Sequence, residues 1–280
     1  MRIEGSKVLL TGAGGGIGAA IVAELIEQGA QVLLVDRDAR ALEAVASRHE
    51  TARDRLDLCT ADLTVAADRE LLCERARLWR GGVDILINNA GLNPFGAYEE
   101  LLPAQIDMAV AVNLQAPLHL CRALLPHLRA RSPAAIVNIG SVFGAIGFPR
   151  YAAYCATKFA LRGFSEALRR ELDGTGVLVQ YIAPRATLTP INSSNVESMN
   201  RELGVRMDPP DRVASETLAA IRADRRSWVV GWPEKMFVKL NALLPAMVDG
   251  SIRKQLPIIR RYSNKKSAAQ ASATAVSVTS

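Results

Sequence analysis

The sequence predicts an α/β domain in which a parallel sheet carries helices on both faces. Three observations predict it. From residue 7 to about 183, short apolar runs alternate with longer stretches of helical periodicity. The short runs are rich in Val, Ile and Leu with little polar alternation, as in strands buried on both faces. The chain has 280 residues, 49% of them apolar, which is material for one large domain with a substantial core, or for two small ones.

The strand candidates, in order, are "KVLLT", "QVLLVD", "DLCTAD", "DILINNAG", "AAIVNIGS" and "VLVQYIA", with "SWVVG" near 227 as the last. Between the first two, Ile17, Ile21, Val22, Leu25 and Ile26 form one apolar helical stripe. Asp38 is placed to cap a second helix and Thr64 a third. Pro103 suits the first turn of a long helix reaching about Arg129. Another helix is expected over 151–172. No internal repeat is present.

No uncharged apolar run reaches the roughly 18 residues of a membrane span. The start of the chain, with Glu4 and only a brief apolar run, lacks the pattern of a signal peptide. Cys59, Cys73, Cys121 and Cys155 form no CxxC and no metal-like spacing, so reduced thiols in a cytoplasmic protein, and no metal, are expected. The net charge is +6, yet 234–266 alone holds eight Lys and Arg against Glu234 and Asp249. Eight minus two is the whole +6, and the remainder is formally neutral. The basic balance therefore marks a special C-terminal segment, and no nucleic-acid partner is expected.

The first strand runs into "TGAGGGIG", 11–18, and then into a helix. Glycines there let a backbone approach a ligand, and the helix N-terminus offers amides to a pyrophosphate. A tight turn without ligand has the same sequence. Asp36 ends the second strand, where an acid accepts hydrogen bonds from an adenosine ribose and disfavours a 2′-phosphate. It would equally serve as a turn residue, and Arg37 beside it could hold a 2′-phosphate. On this balance NAD is favoured over NADP.

"YAAYCATK", 151–158, contains two tyrosines and one lysine. Residues four apart share a helix face, which pairs Tyr154 with Lys158 and leaves Tyr151 without a lysine. At about 4 Å and an effective dielectric of about 20, the ammonium–phenolate attraction is about 4 kcal/mol. That would bring a phenol from about 10 towards neutrality and make Tyr154 an acid/base. Surface packing is the alternative reading of such a pair.

With "TGAGGGIG", Asp62 after the third strand, "NNAG" at 88–91, Asn113, Ser141 and Tyr154-x-x-x-Lys158 in this order, the sequence resembles the short-chain dehydrogenase/reductase family over about 5–232. The resemblance implies a Rossmann-type doubly wound parallel sheet of about seven strands over 1–233. It implies an NAD(P)-dependent oxidoreductase acting on an alcohol or carbonyl. Tyr154 would exchange the proton, Lys158 would lower its pKa and bind the nicotinamide ribose, and Ser141 would hold the substrate oxygen. Asn113 would hold a helix kink and a water linking Lys158 to solvent. Gly12, Gly14, Gly15, Gly16, Ile17, Gly18, Asp36, Arg37, Asp62, Leu63, Asn89, Ala90, Gly91, Pro184, Thr187 and Thr189 would line the cofactor, together with Tyr154 and Lys158. The helices at about 103–129 and 151–172 resemble those of the family's dimer contact, so a homodimer or higher homo-oligomer is implied. One motif departs from the family: Pro184 is followed by Arg185 where Gly is usual, which would place a cation near the substrate entrance.

Phe95, Phe143, Ile146 and Phe148 suggest an apolar pocket for a hydrophobic secondary alcohol or ketone, acyl-chain, steroid or retinoid-like, with a 3-oxoacyl thioester as one candidate. Ordinary loop-to-core packing would use the same residues. A non-catalytic dinucleotide-binding sensor or scaffold is the alternative function. Such a protein could lose the Ser/Tyr/Lys set, which this chain keeps. Residues 234–262 are expected to form a basic amphipathic extension kinked at Pro245, either lying in a membrane interface or covering the substrate cleft. The small, polar end, 263–280, is expected to be disordered.

Overall fold

The structure is a computed structural model, and it describes residues 1–263. In chain order the main elements are β1 (Lys7–Thr11), α1 (Gly16–Glu27), β2 (Gln31–Asp36), α2 (Ala39–Ala46), β3 (Leu56–Thr60), α3 (Ala66–Leu78), β4 (Ile85–Asn88), α4 (Pro103–Val110), α5 (Ala116–Arg131), β5 (Ala134–Ile139), α6 (Ala152–Glu171), β6 (Val177–Ala183), α7 (Ser194–Glu202), α8 (Pro210–Arg222), β7 (Ser227–Val229), α9 (Glu234–Leu243) and α10 (Pro245–Ser263). The tail expected from 263 onward lies, except for Ser263, outside the described residues.

The seven strands form one parallel sheet in the order β3-β2-β1-β4-β5-β6-β7. Successive side chains point to opposite faces, and both faces are buried. Leu10, Leu34, Ile85 and Val137 pack under α1, α2 and α8. Leu9, Leu33, Leu86 and Ile136 pack under α3, α5 and α6. This two-sided burial is why the strands read as unbroken apolar runs.

Asp38 caps α2 by accepting from the Arg40 and Ala41 N–H groups. Thr64 does not cap α3, which begins one residue later than that role needs. Val65 holds the cap position without a side-chain bond, while Thr64 Oγ1 donates to Asp62 Oδ1 at 2.7 Å. Pro103 opens α4, as the missing N–H of the first turn permits. The stretch Pro103–Arg131 is long and apolar enough, by length and composition, to cross a membrane. It is not an uncharged run, because Asp107 and Arg122 interrupt it. Here Leu120, Cys121, Leu124 and Leu128 are buried against the sheet. Between α4 and α5, 111–115 widens into a π turn.

Candidate active site

β1 and β4 are neighbours, but their connections leave towards opposite sides of the sheet. The crevice at such a switch point, beyond the strand carboxyl ends, is where ligands bind in this architecture. Thr11 and Asn89 fix its floor. Thr11 Oγ1 accepts from the Asn89 and Ala90 N–H groups, and Asn89 Nδ2 donates to the carbonyls of Thr11 and Gly12. Gly12 has φ +66°, and a Cβ there would come within 2.7 Å of Ala90 Cα. Only glycine fits that approach. α1 starts behind the loop with Gly15 at its cap position and no side-chain bond to its first amides, which leaves them for an anion.

Asp36, half-buried at the tip of β2, accepts from Gly14 N at 3.1 Å and Asp38 N at 3.2 Å. Its carboxylate is thus both a turn residue and part of the crevice wall. Arg37 is exposed beside it. Thr64 holds the Asp62 carboxyl below its ordinary range through a side-chain and a backbone hydrogen bond, with a smaller contribution from the Arg37 charge. All of the residues expected to line a cofactor, from Gly12 to Thr189, border one cavity of about 930 Å³. A glycine-rich loop, uncapped amides and an acid at the β2 tip together fit a dinucleotide.

Ser141, Tyr154 and Lys158 border the same cavity. Ser141 lies just beyond β5; Tyr154 and Lys158 lie one turn apart on α6, on the face turned to the cleft. Asn113 stands behind the wall in the π turn, which swings it inward. Its amide exchanges hydrogen bonds with the Leu92 backbone at 2.7 and 2.8 Å and donates to Thr157 Oγ1 at 3.0 Å. It therefore ties the turn between α4 and α5 to α6 and to the loop after β4.

The electrostatics differ from the expectation drawn from spacing. Lys158 is buried, donates to the Ile139 carbonyl at 3.0 Å, and has its Nζ 5.7 Å from the Tyr154 ring centroid. Burial is the largest influence on both groups. It pushes the Tyr154 hydroxyl up to about 12, with the Ser141 side chain pulling part of the way back, and it draws Lys158 down to about 8. Tyr154 is therefore a protonated donor at neutral pH. Tyr151 is packed among Phe95, Phe143 and Phe148, and burial pushes its hydroxyl up as well.

Tyr181, on β6, is a residue to which no sequence motif points. Its hydroxyl accepts from Ser141 N and donates to the carbonyls of Ser141 and, more weakly, Lys158. The ring occupies space that only glycine leaves: a Cβ on Gly140 would collide with the ring, and one on Gly144 with the hydroxyl. Those two glycines flanking Ser141 were the available signal.

Arg185 borders the cavity, as its position after Pro184 suggested, but its charge is paired rather than free. It is buried, and it donates from Nε and Nη2 to both oxygens of Asp208 at 2.7 and 2.6 Å. Nη1 reaches the Trp232 carbonyl and Glu234. The side chain thus bolts the loop after β6 to the start of α9. Pro184 remains on the cavity wall, and Thr189 lies over the glycine loop, 2.8 Å from where a Gly16 Cβ would be. Thr187 Oγ1 donates to the Arg185 carbonyl.

Phe143, Ile146 and Phe148 border the cavity beyond Tyr154, with Phe143 and Phe148 stacked at 4.9 Å; Phe95 packs on Tyr151 instead. The far wall comes from α7, α9 and α10 through Met199, Phe237, Leu240, Val248 and Ile252. α9 ends at Leu243, Leu244 has non-helical backbone and Pro245 begins α10, so the kink expected at Pro245 is a full break.

The fold and this cleft define a doubly wound dinucleotide-binding protein with a Ser/Tyr/Lys cluster beside the cofactor groove. The short chain dehydrogenase family model matches residues 6–200. The chain is 34% identical over 235 residues to nodulation protein G of Rhizobium meliloti (strain 1021), covering 82% of this chain and 94% of that one. Two solved structures are similar. A short chain dehydrogenase/reductase from Burkholderia phymatum in complex with NAD has a TM-score of 0.80 at 24% identity, over 88% of this chain and 96% of that one. A 3-ketoacyl-(acyl-carrier-protein) reductase from Brucella melitensis complexed with NADH has a TM-score of 0.74 at 29% identity, over 81% and 96%. The chain belongs to the short-chain dehydrogenase/reductase family, and is an NAD(P)-dependent oxidoreductase of alcohols and ketones.

Proposed function

We propose that the protein interconverts a hydrophobic secondary alcohol and its ketone, with NAD as the preferred cofactor. The observation that carries this reading is one continuous cavity. It runs from the glycine loop, past Ser141, Tyr154 and Lys158, to a wall of Phe143, Ile146 and Phe148. A bound nicotinamide dinucleotide supplies or accepts the hydride. Ser141 orients the substrate oxygen, and Tyr154 delivers its proton to that oxygen as charge develops in reduction, or takes one in oxidation. Lys158 binds beside Tyr154 and favours the phenolate it becomes. Asn113 holds the α6 register through Thr157. The Asp36 carboxylate supports NAD, since a 2′-phosphate there would meet like charge.

The likeness to a 3-ketoacyl reductase supports an acyl chain as the apolar part. Exposed Ala152, Ala156, Phe159, Ala160 and Gly163 on α6 support a homodimer through that helix, as in the family. The four unpaired cysteines support a reducing, cytoplasmic setting. The test is oxidation of NADH and of NADPH by the full chain with a panel of apolar ketones and 3-oxoacyl thioesters. Turnover faster with NADH is expected. Flat traces across the panel, with cofactor still bound, would favour a sensor or scaffold.

A further inference from the structure

We propose that the hairpin of α9 and α10 docks its tip on an anionic lipid bilayer, at the mouth of the substrate cleft. The tip is residues 242–247, "ALLPAM", and all six are exposed. Leu243 is 78% exposed and Met247 61%. Met236, seven residues before Leu243 and so on the same face of α9, is also exposed. Six consecutive apolar residues in water at a turn are uncovered apolar surface of the kind that marks an interaction site.

The tip is held out by a fixed support. The opposite side of α10 is packed on the domain: Ile259 is fully buried against Val196 and Met199 of α7, and Val248 is buried too. Arg261 and Tyr262 are bonded to Glu202 at the far end. At the near end, Arg185 holds Glu234.

The exposed charge on α9 and α10 is mostly positive, and Asp249, two residues beyond the tip, is the exception. Lys239, Arg253, Lys254 and Arg260 are exposed, and Lys235 lies over the Trp228 ring at 4.0 Å. Glu234 is turned inward onto Arg185, so among the described residues of the extension Asp249 is the exposed acid. Apolar side chains that enter the headgroup boundary, with cations beside them at the anionic surface, are the pattern of an interfacial helix pair.

Continuity with the cleft favours lipid over protein as the occupant. Met247, Val248 and Ile252 belong both to the hairpin and to the cavity wall. A protein seated on the tip would close that mouth, and a second copy docked tip to tip would bring like cations together. A bilayer covers the tip, satisfies the cations and presents apolar solutes to the opening. The docking itself does not rest on the identity of the substrate.

The experiment is co-sedimentation of the full chain with vesicles of phosphatidylcholine alone, or of phosphatidylcholine mixed with phosphatidylglycerol, at low and high salt. A Leu243→Asp/Leu244→Asp variant is run beside it. Both leucines are exposed and neither borders the cavity, so the fold is retained. The expected result is binding to anionic vesicles that weakens with salt, and that falls about tenfold or more in the variant. Light scattering should give both proteins the same mass. Failure of the unaltered chain to sediment with anionic vesicles at low salt overturns the proposal. So does undiminished binding of the Asp variant. A lower oligomeric mass for the variant also overturns it, by assigning the tip to a subunit interface.

Discussion

The Tyr181 hydroxyl lies 3.2 Å from Ser141 N and 3.1 Å from Ser141 O. One group on β6 thus both accepts from and donates to the backbone of Ser141, the residue proposed to hold the substrate oxygen. Tyr181→Phe keeps the ring in the space left by Gly140 and Gly144 and removes only this bridge. Leaving Ser141 N–H without its acceptor is expected to cost about 1–3 kcal/mol in urea denaturation. Turnover should fall about tenfold as Ser141 loosens. Unchanged kcat would mean that the hydroxyl is merely a packing feature.

Tyr154→Phe should remove turnover while dinucleotide binding, measured by fluorescence titration, stays within about twofold, because the ring remains and the proton donor goes. Tyr151→Phe should retain most activity, since that ring packs among Phe95, Phe143 and Phe148. A dead Tyr151→Phe enzyme would reverse the assignment of the two tyrosines.

For the cofactor, Asp36→Ala is expected to raise the NADP to NAD ratio of kcat/KM by about tenfold or more, since Arg37 stays beside a site that no longer repels a 2′-phosphate. An unchanged ratio would leave Asp36 as only the turn residue that accepts from Gly14 and Asp38.

Arg185→Ala should destabilise the protein by about 3 kcal/mol, because Asp208 is left buried with Arg212 as its remaining cation. The loss of the bonds to Trp232 and Glu234 should also make α9 more susceptible to limited proteolysis. A melting temperature equal to that of the unaltered protein would contradict the bolt.

The pH dependence follows from burial. Tyr154, near 12, keeps its proton across the neutral range, whereas Lys158, near 8, loses its charge above that pH. Carbonyl reduction needs both protonated forms, so its kcat should be flat below about pH 7 and fall above about pH 8. Alcohol oxidation must remove the Tyr154 proton and should rise with pH over the same interval. Parallel profiles in the two directions would refute this assignment.

Much of the fold and site is already determined by the linear sequence. The apolar runs, the 3.6-residue periodicity between them and the glycine loop depend on local order alone, and these define the parallel sheet and the crevice. Tyr154 and Lys158 are likewise paired by helical spacing. Other features depend on which distant segments meet. Thr64 turns to Asp62 rather than to a helix end. Arg185 finds Asp208 and Glu234, residues 23 and 49 positions away, so the cation on the cavity wall is a paired, buried bolt. Tyr181 reaches Ser141 across 40 residues through the pairing of β5 with β6. The sequence by itself also makes 234–262 basic and amphipathic. Only the tertiary packing decides that one face of it lines the cleft and that the domain leaves the "ALLPAM" tip uncovered. Composition specifies how much apolar surface a helix carries, while its neighbours specify how much of that surface they cover.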